Sequence, residues 1–107
     1  MPRNAAKHLG ALAYLHDTNK AINAYKRAIN LNDEDYETWN QLGHLQYRNG
    51  QLDLAESAYR QVLHLGNKVQ DRGMVAIAQT NLGNVFLTRG DFKRAKEFFQ
   101  KALAPEK

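Results

Sequence analysis

Residues 39–63 read WNQLGHLQYRNGQLDLAESAYRQVL, and their periodicity changes phase once, at Gly50. Before it, Trp39, Leu42, Leu45 and Gln46 recur at helical spacing. After it, Leu54, Ala55, Ala58, Tyr59, Val62 and Leu63 form an apolar stripe in steps of three and four. Gly50 is placed to end the first helix in the left-handed conformation, which an L side chain resists, and Asp53 lies near the start of the second. Upstream, Asn32-Asp33-Glu34-Asp35 supplies a cap and negative charge where the helix dipole favours both. Gly43 in one helix and Ala55 in the other let two backbones approach closely, with Tyr59 filling the groove beside that contact. The segment predicts a pair of packed helices.

The same plan occurs three times. The triplets Ala21-Tyr25-Ala28, Ala55-Tyr59-Val62 and Ala95-Phe99-Ala102 each follow a Leu-Gly pair, at Leu9-Gly10, Leu42-Gly43 and Leu82-Gly83. In the third unit Gly90 stops a helix and Asp91 caps the next. Phe92, Ala95, Phe98, Phe99, Ala102 and Leu103 form its stripe, and Pro105 closes it. The first unit is shorter: 11 residues separate Gly10 from Ala21 where the others have 12, so a turn is expected around Asp17-Thr18-Asn19 with one residue fewer. The triplets are 34 residues apart and then 40. Six additional residues between Val62 and Thr80 are expected to lengthen the flanking helices by nearly a turn each.

The pattern Trp39-x2-Leu42-Gly43 with Ala55-x3-Tyr59, repeated as Leu82-Gly83-x2-Phe86 with Ala95-x3-Phe99-x2-Ala102, resembles the tetratricopeptide repeat. The longer third spacing, with Asp71-Arg72-Gly73 before Asn81-Leu82-Gly83-Asn84, is similar to the forty-residue variety found in Pins-type scaffolds and bacterial regulators. The resemblance implies an all-α, right-handed superhelix of three helix hairpins. We expect one domain over 1–107, with units at about 3–32, 33–66 and 71–104.

The family's first helices line a concave groove, so the resemblance implies groove positions at Lys7, Ala11 and Tyr14, then Asn40, Gln41, His44 and Tyr47 or Arg48, then Thr80, Asn81, Asn84 and Thr88. This set is rich in side-chain amides, which offer a donor and an acceptor together to an extended peptide. Asn84 leads it. The family's clamp for chaperone tails is built from lysines, asparagines and an arginine: Lys7 matches one lysine, but Ala11 replaces the following asparagine, and Ile77 and Asn81 stand where a lysine and an arginine are required, which argues against a chaperone-tail receptor. Trp39 at its repeat position is expected to pack between units.

Other function classes find little support. No glycine-rich phosphate loop, His-Glu-x-x-His motif or cysteine occurs, and His8, His16, His44 and His64 lack metal-ligand spacing, so neither catalysis, a metal nor a cofactor is expected. The net charge of +4 invites nucleic acid. However, Lys26, Arg27, Arg60, Lys93, Arg94, Lys96 and Lys101 alternate with Glu56 and Glu97 on second helices, the pattern of a solvated outer face. With neither a secretory h-region nor a long apolar run, a cytoplasmic location is expected. The leading expectation is a module binding a peptide or partner protein through Lys7, Asn40, Gln41, His44, Arg48, Asn81 and Asn84. The alternative is a homo-oligomeric scaffold assembled through an uncapped last helix, with Phe92, Phe98, Phe99 and Leu103 as its surface, and RNA binding through the basic surface comes third.

Overall fold

A computed structural model describes the backbone of residues 3–104 and the side chains of residues 17–104. Among the described residues there are five helices: α1 (Arg3–Leu31), α2 (Tyr36–Arg48), α3 (Leu52–Lys68), α4 (Arg72–Arg89) and α5 (Phe92–Leu103). Each packs on the next in chain order, giving the all-α array of helix hairpins implied by the repeats, 60 × 35 × 19 Å in extent.

Three turns between α2 and α5 are built alike. The N–H groups of Gln51, Asp71 and Asp91 donate to the carbonyls of Gln46, Gly66 and Phe86, five residues back, at 2.8, 2.9 and 2.9 Å. The residue before each donor is left-handed, at φ 79° for Gly50, 58° for Gln70 and 82° for Gly90. This is the Schellman closure, and it lets the chain reverse within three residues while satisfying carbonyls orphaned at the helix end. Asp35, Asp71 and Asp91 then cap the following helices through the N–H groups of Thr38, Met74 and Arg94. The six additional residues lengthen α3 to 17 residues and α4 to 18, against 13 in α2 and 12 in α5, and the intervening turn stays as tight as the others.

The first unit departs from expectation. Its turn at Asp17-Thr18-Asn19 is absent, and the chain runs as one helix from Arg3 to Leu31. Counting forward from Gly10, the position of Gly50 and Gly90 falls on Asp17; counting back from Ala21, it falls on His16. The missing residue is therefore the left-handed glycine itself. A turn there would have to close one residue short and without the glycine that Gly50 and Gly90 supply, and the chain continues as helix instead.

The core lies along the helix seams. Ala55, Tyr59, Leu82 and Val85 are buried together, with Tyr47, Leu52, Leu63 and Phe98 packed against them. A second cluster joins Ile22 and Ile29 of α1 to Leu42 of α2, with Tyr25, Trp39 and Leu45 around it, so Trp39 does pack between units; its indole N–H donates to the Asp33 carbonyl at 2.8 Å. Tyr59 lies directly on Gly43 rather than beside it: a Cβ there would come within 2.7 Å of the ring, and one at Gly83 within 2.5 Å of Phe99. The apolar stripes are narrower than expected, since Leu54, Phe92 and Leu103 are exposed.

Candidate functional site

Helices α2 and α4 lie side by side, and the amide positions implied for the groove meet between them. The Asn81 amide N–H donates to Asn40 Oδ1 at 3.1 Å. Asn40 Nδ2 contacts His44 Nε2 at 3.4 Å, one helical turn on, and His44 Nδ1 meets the Tyr59 hydroxyl at 3.0 Å. Since Asn40 presents its oxygen to Asn81, its nitrogen donates to Nε2, and the imidazole proton sits on Nδ1, aimed at Tyr59. The result is a polar chain, Asn81 to Asn40 to His44 to Tyr59, running from the exposed face into the core.

Burial sets the electrostatics of this chain. It holds the His44 imidazole below its usual range and pushes the Tyr59 phenol up, so both stay neutral near pH 7. The Tyr59 ring meets His44 edge-on at 5.6 Å, which fixes the imidazole plane. Farther along the face, the Tyr47 hydroxyl bonds Thr88 Oγ1 at 2.6 Å, and Thr88 bonds back to the Asn84 carbonyl at 2.9 Å. Tyr47, one of the two alternatives for that groove position, therefore joins α2 to α4. Asn84, between Asn81 and Thr88 on α4, is half-buried; among the described residues its side-chain amide has no hydrogen-bond partner.

The structure thus brings Asn40, His44, Asn81 and Asn84 to one face, with Gln41 and Arg48 exposed on α2. Thr80 turns its hydroxyl back to the Ala76 carbonyl. Lys7, Ala11 and Tyr14 lie outside the described side chains. At the start of the same helices the Tyr36 hydroxyl donates to Asp71 at 3.2 Å, a link whose hydrogen bond and charge push the phenol up. Sequence reasoning missed this tie and the His44–Tyr59 link, because both pair residues from different repeats or helices with no spacing signal.

Two other regions stand out. The last helix is less open than expected: Phe98 stacks on Phe86 at 5.6 Å, Arg60, Arg89, Arg94 and Lys101 lie over the two rings, and Phe99 rests on Gly83. Only Phe92 and Leu103, 67% and 84% exposed, remain open of the four candidates there. Of the basic outer-face set, Arg60 pairs with Glu56 and Arg94 with Asp91, its own helix cap, while Lys26, Arg27, Lys93, Lys96 and Lys101 form no ion pair among the described residues; elsewhere Arg89 pairs with Asp53 and Glu56, and Lys68 with Glu34. Burial raises the Glu56 carboxyl, but hydrogen bonds from Arg89 and Arg60 outweigh it and hold the group below the usual range. Among the described residues no cluster of His, Asp or Glu is arranged to hold a metal, and no helix is long and apolar enough to cross a membrane.

Residues 34–104 match the family model described as "Tetratricopeptide repeat", and residues 11–50 match one described as "TPR repeat". The bovine protein "BBSome complex member BBS4" is 31% identical over 83 residues, covering 78% of this chain, which spans 15% of that relative's length. Among solved structures, the N-terminal domain of stress-induced protein-1 (STI-1) from C. elegans superposes with a TM-score of 0.77 at 25% identity, over 92% of this chain and 80% of the other.

Proposed function

The chain belongs to the tetratricopeptide-repeat family, and from that premise we propose that it is a non-catalytic protein-interaction module that holds an extended peptide or partner segment along the α2–α4 face. The observation that carries the proposal is the polar chain. Asn81, Asn40 and His44 are locked to one another and to the buried Tyr59, so their remaining donors and acceptors are held in fixed directions before any ligand arrives. Asn84 beside them is half-buried, and its side-chain amide has no hydrogen-bond partner among the described residues. Pre-ordered amides suit a peptide backbone, which also offers one donor and one acceptor per residue, and they bind with little further loss of side-chain entropy.

The amides of Asn40, Asn81 and Asn84 carry no charge, and the outer-face lysines and arginines are interspersed with Glu56 and Glu97, which favours protein over nucleic acid as partner. The likeness to a protein named as a complex member supports the same choice. To test the proposal, a displayed library of random 12-residue peptides is panned against the full chain and the enriched sequences titrated by calorimetry. Loss of one hydrogen bond in Asn84→Ala or Asn81→Ala should weaken binding by roughly 3- to 10-fold at unchanged helicity. Equal affinity in both variants would remove these residues from the site, and a library yielding no binder would remove the peptide groove.

A further inference from the structure

The hairpins formed by α2–α3 and α4–α5 are each locked by a glycine under an aromatic ring, Gly43 under Tyr59 and Gly83 under Phe99. The third instance of that pairing is Gly10 with Tyr25. Both lie on α1, about 22 Å apart along a single helix, so they cannot meet within one chain.

The second half of α1 is also left without the cover its sequence anticipates. In α3, Ala58, Val62 and Leu65 are buried. Their counterparts 34 residues earlier, Ala24, Ala28 and Leu31, are all exposed, Leu31 at 90%. The opposite side of the same segment is occupied, since Ile22 and Ile29 pack toward α2, and Tyr25, half-buried at the border of the two sides, touches the same cluster. The bare side is thus the one on which a unit's own first helix belongs. The chain carries such a helix, marked by Leu9-Gly10, but the missing glycine fuses it end to end with its intended partner.

We infer that α1 pairs antiparallel with α1 of a second copy, in an exchanged dimer in which residues 3–16 of each chain cover residues 17–31 of the other. Setting Gly10 of one copy against Tyr25 of the other places the two-fold axis between Asp17 and Thr18. The same operation then sets Tyr25 of the first against Gly10 of the second, so the contact is self-complementary and closed. The dimer rebuilds the hairpin contact seen twice elsewhere, and it needs no left-handed residue where none is supplied. Shortening a hinge is a known route to such exchange. Closing the same contact within one chain would require a turn one residue shorter than the three seen elsewhere.

The test uses the full chain. Sedimentation from about 1 to several hundred µM should give a dimer. Asn23→Cys, at an exposed position in a chain without other thiols, takes one nitroxide per copy. The proposed register puts the two labelled backbone sites roughly 20 Å apart, from the helical rise and a normal interaxial distance. One glycine inserted between His16 and Asp17 restores the spacing of the other units and should weaken dimerisation at least 10-fold without loss of helicity. A monomer at every concentration overturns the inference. So does a dimer lacking the short distance, as association through Phe92 and Leu103 would give, or one that the inserted glycine leaves unchanged.

Discussion

Replacing Gly43 by alanine tests the contact on which both the repeat and the polar face rest. The added Cβ would lie 2.7, 2.9 and 3.2 Å from three carbons of the Tyr59 ring, so the ring must retreat by about 0.7 Å to reach ordinary van der Waals distance. Tyr59 is 2% exposed and its hydroxyl is bonded to His44, so the retreat strains the core and breaks that bond. Overpacking costs about 1–3 kcal/mol and the lost hydrogen bond about 0.5–1.5, while alanine returns about 1 through its helix propensity. The net loss is roughly 2 kcal/mol, or about 8–10 °C in Tm for a chain of this size. Gly83→Ala meets Phe99, a half-buried ring with no hydrogen bond, and should lose only about 1 kcal/mol. Gly73→Ala finds its nearest neighbour at 3.5 Å and should gain about 0.5 kcal/mol. Thermal melts and urea titrations followed by circular dichroism give all three values. If Gly43→Ala gained stability like Gly73→Ala, the close glycine–aromatic contact would not be what holds the hairpin.

Further expectations follow from single residues. Gln70 is left-handed where the other turns use glycine, so Gln70→Gly should raise stability by about 0.5–1 kcal/mol, read as a shift in urea midpoint. Gln46 occupies the repeat position of Phe86, is 3% exposed, and leaves Oε1 without a partner among the described residues. Gln46→Met should therefore stabilise by about 1 kcal/mol, and a loss on substitution would show that the oxygen is satisfied in solution. His44 binds a proton less readily in the fold than in the unfolded chain, where its pKa is near 6.5. Between the two values the unfolded state holds more protons, so the His44 contribution is full above pH 6.5 and is lost as pH falls through the lower, folded value. Denaturation midpoints should drop across that window less steeply in His44→Gln, and the C–H resonances of His44 should titrate below the range of the same histidine in the unfolded chain.

Much of this was legible in the chain because the repeat writes the same contact more than once. Gly50 and Gly90 announced their turns, the six additional residues had nowhere to go but into α3 and α4, and the Leu-Gly pairs gave a register that put Asn40, His44, Asn81 and Asn84 on one face. The fused α1 was not legible as a helix. Self-similarity recruits a degenerate unit to the pattern of its neighbours, and the decisive fact was one absent residue. The exposure of Leu54, Phe92 and Leu103 escaped for a related reason: periodicity shows which side of a helix is apolar, not whether a neighbour is present to cover it. The ties from His44 to Tyr59 and from Tyr36 to Asp71 join positions with no common spacing, and only packing reveals them.

The most direct test of the central claim, that the α2–α4 amides form a recognition face, follows the side-chain NH2 resonances of Asn40, Asn81 and Asn84 in 15N-labelled protein during titration with a library-selected peptide. The account predicts that these resonances shift together and saturate with the calorimetric affinity, Asn84 most of all. Saturation with those three resonances unmoved and the shifts confined to α5 or to α1 would contradict it.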